Sequence, residues 1–293
     1  MKWWRFRRWS IGEAAALVAL VAAAIYATSG AWLDVAEQAL RDEEQTHILL
    51  ALPVALWLGY LRRGRLHGFR PRTSPLGPIL MLFGWGLSLF GFSRSYDLFW
   101  HVGAICVAVG SVVTMLGPRF VVVFLPSFVA LLFLLPVPGR LRGPIAVELQ
   151  NASALIAEFG VDLVGVEIMR EGAALIVNGK EVLIAEACNG MRMVSALALI
   201  AFAFIFSVPM RNGVRLAILA ISPVIALSVN VIRLIPTALM YGYASEDAAS
   251  LFHAISGWVV LLIALGMLWV FLSLLRWIEV PITPYPIART HTP

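Results

Sequence analysis

Glu186-Ala187-Cys188-Asn189-Gly190-Met191-Arg192 is a short polar break that leads into an apolar run, Met193 to Val208. A polar break followed by such a run reads as the entrance of a membrane helix, and Asn189 and Gly190 are acceptable entrance residues. The first amides of a helix have no internal partner, and the helix dipole is positive there. A thiolate at that end is stabilised, so Cys188 is expected to ionise and react readily. Arg192, four residues on, adds positive charge to the same face. Taken alone, the cysteine reads equally well as a small buried thiol at a helix end.

Outward from this stretch the chain is apolar almost throughout. Of its 293 residues 60% are hydrophobic and only 13% charged, and the mean hydropathy is +0.87. Several runs approach or exceed the 18 apolar residues that cross a bilayer. The expected fold is an all-α polytopic membrane protein of about eight transmembrane helices, forming a single integral membrane domain. Its formal charge of +5 does not indicate nucleic-acid binding, because the basic residues follow the membrane topology. The two cysteines, Cys106 in mid-run and Cys188 at the edge of another run, would lie at different depths. No disulfide framework is expected, and Cys106 reads as a core residue.

Eight candidate spans follow one another. They are Ile11 to Ser29, Ile48 to Leu61, Leu76 to Phe92, Leu98 to Leu116, Phe120 to Leu135, Met191 to Val208, Leu216 to Ile235 and His253 to Leu275. The first is preceded by a basic aromatic collar and reads as a retained helix, not a cleaved signal. Between the fifth and sixth spans, Gly139 to Ala187 does not read as a crossing. Ile145, Leu149, Ala152, Ile156, Phe159 and Leu163 have helical spacing, which suits an amphipathic helix on the membrane surface. Ala173 to Val177 and Glu181 to Ala185 flank Asn178-Gly179, the favoured pair for a type I′ hairpin turn. This hairpin would deliver the chain to Cys188. A Pro-rich tail, 278–293, closes the sequence.

Charge orients the spans. With the N-terminus inside, 14 of the 22 basic residues fall in inner segments, and all acidic residues but Glu13 and Glu279 fall outside or at outer helix ends. The positive-inside rule then puts both termini in the cytoplasm and Cys188, Arg233 and His253 at the outer face.

Arg233 stands late in the seventh span, in Asn230-Val231-Ile232-Arg233. An arginine at mid-membrane costs roughly 2.5–3.5 kcal/mol on insertion scales, so it is expected to face a cavity or a partner. Asn230, three residues earlier, lies on the same face. The plainer reading is an arginine that snorkels to the outer headgroups. His253 opens the eighth span and reads either as an interfacial polar residue or as a proton carrier. No HExxH, GxSxG or phosphate-loop pattern occurs. A thiol, an arginine and a histidine at one depth form a coherent acyl-transfer set: a nucleophile, a holder of negative charge and a proton carrier. Such a set needs no cofactor and no metal. Two other classes compete: a transporter whose Arg233 and Cys188 bind an anion, and a non-catalytic component of exopolysaccharide export or assembly. The paired broken helices common in transporters are not evident.

Leu135-Pro136-Val137-Pro138, the stretch from Leu149-Gln150 to Gly165, Ala187 to Arg192, Asn230 to Arg233, and Leu251-Phe252-His253 with Gly257 together resemble the exosortase/archaeosortase family of membrane cysteine transpeptidases. The likeness spans roughly Phe124 to Trp277 and implies a catalytic core over 119–277 behind variable N-terminal helices, 1–118. It implies catalytic roles for Cys188, Arg233 and His253, with Arg192 and Asn230 in support. Asn189 and Met191 replace the Ser and Leu of the family's common Ala-Cys-Ser-Gly-Leu-Arg form, which leaves the subfamily open. Archaeal members carry Arg where this chain has His253, so the bacterial branch is the closer match. The resemblance further implies the substrates: exported proteins ending in a recognition tripeptide such as Pro-Glu-Pro, one helix and a basic tail. They would be cut at the outer face of the cytoplasmic membrane and passed to an acceptor or to water. The implied partners are those proteins, an acceptor of unknown identity and membrane lipids, with no nucleic acid.

Overall fold

The computed structural model describes residues 10–68, 72–172, 174–183 and 190–277. The N-terminal collar, Cys188 with its neighbours from 184 to 189, and the Pro-rich tail lie outside these residues. Helices dominate, and the chain divides into two compact units, Met1–Pro138 and Gly139–Pro293.

The first unit opens with helix α1 (Ile11–Ala27). Ser10 and Glu13 form a capping box: the Ser10 hydroxyl accepts from the Glu13 amide at 3.1 Å, and the Glu13 carboxylate accepts from the Ser10 amide at 3.0 Å. The chain then bends by 71° into α2 (Ser29–Arg41). Helix α2 buries Ala31, Val35 and Ala39, so the acidic stretch after the first span is itself an amphipathic helix. Asp34 on α2 accepts from Gln38 at 2.6 Å and pairs with His101 Nε2 at 2.9 Å, which ties α2 to the following hairpin.

That hairpin is α4 (Leu76–Arg94) against α5 (Asp97–Leu116). Its packing follows from glycines spaced seven apart, Gly77, Gly84 and Gly91 on α4 and Gly103 and Gly110 on α5. Lipid gives helices no hydrophobic reason to associate, so small residues that let backbones touch carry the contact. A Cβ placed on Gly84 would lie 2.6 Å from the Cys106 Cβ and 2.8 Å from the Gly103 carbonyl oxygen. Cys106 thus serves as packing, as its mid-run position implied. Gly84→Ala should therefore destabilise the protein by roughly 1–3 kcal/mol. Gly86→Ala, on the open side of the same helix with nothing within 4 Å, should be neutral or slightly stabilising. Thermal unfolding of the two variants in detergent checks the difference, and equal melting would refute the glycine seam.

The expected second span is α3 (Ile48–Leu61), short at 14 residues. The expected fifth span is broken into α6 (Pro118–Val123) and α7 (Leu125–Ala130). Pro126 has no amide to donate to the Val122 carbonyl and its ring crowds the preceding turn, so α6 ends and α7 begins across Phe124. Among the described residues four helices are long and apolar enough to cross a membrane, or five if the bent pair α1–α2 counts as one span. Three shorter apolar helices include α3 and α9 (Met191–Ser207). The chain is an all-α multi-pass membrane protein with a small sheet, and among the described residues four or five crossings stand where eight were expected.

The second unit is built on α10 (Asn212–Tyr243), which runs eight residues beyond the expected end at Ile235. Two prolines lie inside it. Pro223 removes the donor to the Leu219 carbonyl, and the buried Ser222 hydroxyl replaces it at 3.1 Å. After Pro236, the Thr237 hydroxyl donates to the Arg233 carbonyl at 2.8 Å. Toward its first half, α10 buries Val214, Ile218, Ile225 and Val229 with α9 (Met191–Ser207) and α11 (Glu246–Trp277). Toward its end it buries Leu234 and Ala238 with Ala154, Ala157 and Val161 of α8 (Gly139–Asp162) and with a small sheet.

The sheet has three antiparallel strands in sequence order, β1 (Ile168–Glu171), β2 (Ala174–Val177) and β3 (Lys180–Leu183). The expected hairpin is β2–β3, and both its turn residues have positive φ, 53° at Asn178 and 74° at Gly179. Helix α8 confirms a helix over the first half of Gly139 to Ala187, with one refinement. Its small residues face α10, while Ile156, Phe159 and Leu163 are exposed. The large apolar stripe seen in the sequence is therefore the outward side.

Candidate active site

The catalytic reading needs the mouth of α9, the buried face of α10 and the first turns of α11 at one place. Gly190 caps α9 in the left-handed region, φ 85°, and the Val194 amide donates to its carbonyl at 2.9 Å. A Cβ on Gly190 would lie 3.2 Å from Asn230 Nδ2 and 3.0 Å from the Leu227 side chain. Glycine is thus required twice, by φ and by contact. Cys188, two residues before this glycine, falls outside the described residues, as does Asn189.

Asn230, Arg233 and Thr237 share one buried stripe of α10. Asn230 is 1% exposed and Arg233 4%. They sit where the α9–α11 core, ending at Val229, gives way to the α8–sheet core, starting at Leu234. A snorkelling arginine would extend to the protein's exterior, whereas Arg233 points inward.

Its guanidinium reaches Gly257 of α11. A Cβ placed on Gly257 would lie 3.5 Å from Arg233 Nη1 and 3.5 Å from Arg192 Nη2. The two nitrogens are therefore within about 7 Å of each other, where like charges repel by roughly 2 kcal/mol at an effective dielectric of about 20. An arrangement that concentrates positive charge in this way is suited to an anion or a developing negative charge.

His253 is one turn before Gly257 on α11 and half-buried. Its carbonyl accepts from the Ser256 hydroxyl at 3.0 Å. The helix that carries the eighth span starts before His253, at the Ser245-Glu246-Asp247 stretch whose residues suit a helix start. Helix α11 begins at Glu246, with the Ser245 hydroxyl accepting from the Ala248 amide at 3.4 Å, so His253 lies two turns inside. The structure thus gathers Gly190, Asn230, Arg192, Arg233 and Gly257 and places His253 one turn along. Among the described residues no cluster of His, Cys, Asp or Glu could hold a metal ion.

The sheet is fixed to the end of α10 and to α8. Asn178 Nδ2 donates to the Gly242 carbonyl and Lys180 Nζ to the Ala244 carbonyl, both at 3.3 Å. Val177 packs on Gly242 so closely that a Cβ there would lie 2.6 Å from its Cγ1. The Glu158 carboxylate accepts from Arg170 Nε at 2.8 Å, binding α8 to β1. These contacts hold the hairpin on the end of α10. Asn178 had a sequence signal as a turn residue. The part of Gly257 as the meeting point of two guanidiniums had none.

A polytopic helical membrane protein with an inward-facing arginine pair beside a helix mouth defines a class, a membrane-embedded protein with a cationic site. The model of the transmembrane exosortase family (Exosortase_EpsH) matches residues 32–270, most of the chain. The protein belongs to the transmembrane exosortase family. No curated protein and no solved structure matched the chain.

Proposed function

We propose that this protein is a membrane cysteine peptidase or transpeptidase that cuts the C-terminal sorting signal of exported proteins at the outer face of the cytoplasmic membrane. The observation that supports this most is the convergence of Arg192 and Arg233 on Gly257, beside the helix mouth that follows Cys188.

In the proposed reaction the Cys188 thiolate attacks the scissile carbonyl carbon. Negative charge moves to the carbonyl oxygen, where Arg233 stabilises it. As the intermediate collapses the carbon–nitrogen bond breaks, the leaving amine takes a proton from His253, and a thioester remains. An acceptor amine, hydroxyl or water then gives its proton back to His253, displaces the thiolate and regenerates the enzyme. No cofactor or metal takes part. The partners are the exported substrate, an acceptor and the surrounding lipid, and nucleic acid has no place in the scheme.

The test is co-expression with an exported reporter that ends in a recognition motif, one apolar helix and a basic tail. The expected result is a shortened reporter whose new C-terminus, read by mass spectrometry, lies outside the helix. A reporter that stays full-length with every candidate signal from the same genome would sink the proposal.

The orientation has its own test. Single cysteines at positions 67 and 178 in a Cys-free background should behave oppositely toward a membrane-impermeant thiol reagent in intact cells, labelling at 178 and not at 67. The reverse pattern would overturn the outward-facing site.

His253→Ala should slow reporter processing severely, on the order of 10²-fold for a lost proton carrier, while His253→Arg should retain more activity than Ala. Wild-type rates with Ala would remove the residue from the mechanism.

A further inference from the structure

Two neighbouring turns of the first unit carry arginines and no acid. The α3–α4 connection holds Arg63, Arg65 and Arg72, and the first turn of α6 holds Arg119; all four are exposed. No Asp or Glu stands between Glu44 and Asp97, or between Asp97 and Glu148. Glu13, the other carboxylate expected on the inner side of this unit, already accepts from the Ser10 amide. The two turns are clamped together. Arg65 Nη1 donates to the Val123 carbonyl at 3.1 Å, and the Ser74 amide donates to the Thr114 carbonyl at 3.1 Å. A Cβ on Gly117 would lie 2.7 Å from the Arg72 carbonyl oxygen. Arg65 through its guanidinium and Arg72 through its backbone thus meet the two ends of a segment, Gly117 to Val123, only about 9 Å long at helical rise. That is near one Debye length at physiological salt, so these charges repel one another and act on an anion together.

Helix capping explains part of the pattern. Arg63 Nη1 donates to the Tyr60 carbonyl at 3.2 Å near the end of α3, and Arg65 serves α6 in the same way. A guanidinium has five N–H donors, so one bond anchors it without exhausting it. Among the described residues the side chains of Arg72 and Arg119 have no hydrogen bond or ion pair, and capping does not explain them. The depth points to the ligand. Trp57 and Tyr60 are exposed and stack on one face of α3 with ring centroids 6.2 Å apart, and the Arg63 guanidinium lies 3.9 Å over the Tyr60 ring. Such aromatics stand at the headgroup level of a bilayer, where the anion at hand is a lipid phosphate. The planar fork of a guanidinium suits its oxygens.

We infer that Arg63, Arg65, Arg72 and Arg119 form a headgroup site for an anionic phospholipid, in the inner leaflet under the proposed orientation. The site lies in the first unit and is independent of the peptidase reading.

The test is native mass spectrometry of the full chain in detergent, with phosphatidylglycerol or phosphatidylcholine of equal chain length added. The wild type should hold phosphatidylglycerol on the order of 10²-fold more tightly, because each arginine near an anionic surface contributes about fivefold and two of the four spend a donor on the protein. Arg72→Gln combined with Arg119→Gln should weaken phosphatidylglycerol by about 25-fold and leave phosphatidylcholine unchanged. Arg94→Gln removes one exposed charge at the other end of α4 and should change neither lipid. Inorganic phosphate at the same concentration should not displace the lipid. Equal binding of the two lipids, or a preference intact in the paired variant, would overturn the site. So would an equal loss in Arg94→Gln, which would reduce the effect to net charge, or displacement by inorganic phosphate, which would make this a site for the free ion. If the paired variant unfolds, Arg119→Gln alone decides: about fivefold weaker phosphatidylglycerol binding supports the site, and wild-type binding overturns it.

Discussion

Cys188→Ala should leave the reporter full-length in the membrane while the variant accumulates at the wild-type level. The thiol is the only group in the proposed reaction that forms a bond to substrate carbon, so its loss removes the covalent route instead of slowing one step of it. Cys188→Ser should be nearly as inactive, because a hydroxyl is far less ionised than a thiol at neutral pH. A protein that merely binds an anion or scaffolds an export assembly would tolerate Ser. Cys106→Ala is the internal control, since Cys106 packs against the Gly84 backbone and takes no part in the reaction. It should process the reporter normally. Trapping supplies a second readout: the wild type should yield a hydroxylamine-sensitive adduct between chain and reporter, and Cys188→Ala none. Normal processing by Cys188→Ala would end the cysteine mechanism.

Much of the scaffold was legible because apolar run length and helix formation in a bilayer are one constraint seen twice. The β2–β3 hairpin was legible for a local reason, the Asn178-Gly179 pair and its positive φ values. What escaped were features set by neighbours distant in sequence. The break at Phe124 depends on one proline inside an otherwise continuous apolar run, and run length overrode it. Helix α10 outlasts Pro236 because its final turns pack against α8 and β2, and no local signal reports that support. Strand β1 is four mixed residues, Ile168 to Glu171, and becomes a strand only when β2 lies beside it. For the site, sequence motifs named the residues but not their meeting. Arg192 and Arg233 stand 41 positions apart in the chain, and only the packing of α9 and α10 on α11 brings both to Gly257.

Arg233→Gln should reduce reporter processing by about 10²–10³-fold, the usual cost of removing one oxyanion donor. Gln keeps the length and much of the polarity but neither the charge nor the fixed fork of donors. Arg233→Lys should be clearly impaired as well, since an ammonium supplies charge without that planar geometry, and in a buried site it loses its proton more readily than a guanidinium. The surroundings make this substitution informative. Arg233 is 4% exposed and its own carbonyl is held by Thr237, so a side chain of similar length changes the chemistry more than the helix. The pH dependence of Cys188 alkylation separates the two services that Arg233 performs in the proposal. Removing a nearby positive charge makes the thiolate harder to form, so in Arg233→Gln the alkylation profile should move to higher pH. If the profile moves and processing falls, Arg233 serves both the thiolate and the oxyanion. Should the profile stay in place while processing falls, its service is confined to the oxyanion of the intermediate. If alkylation and processing both match the wild type, Arg233 stands outside the reaction, and the second cation at Gly257, Arg192, inherits the role.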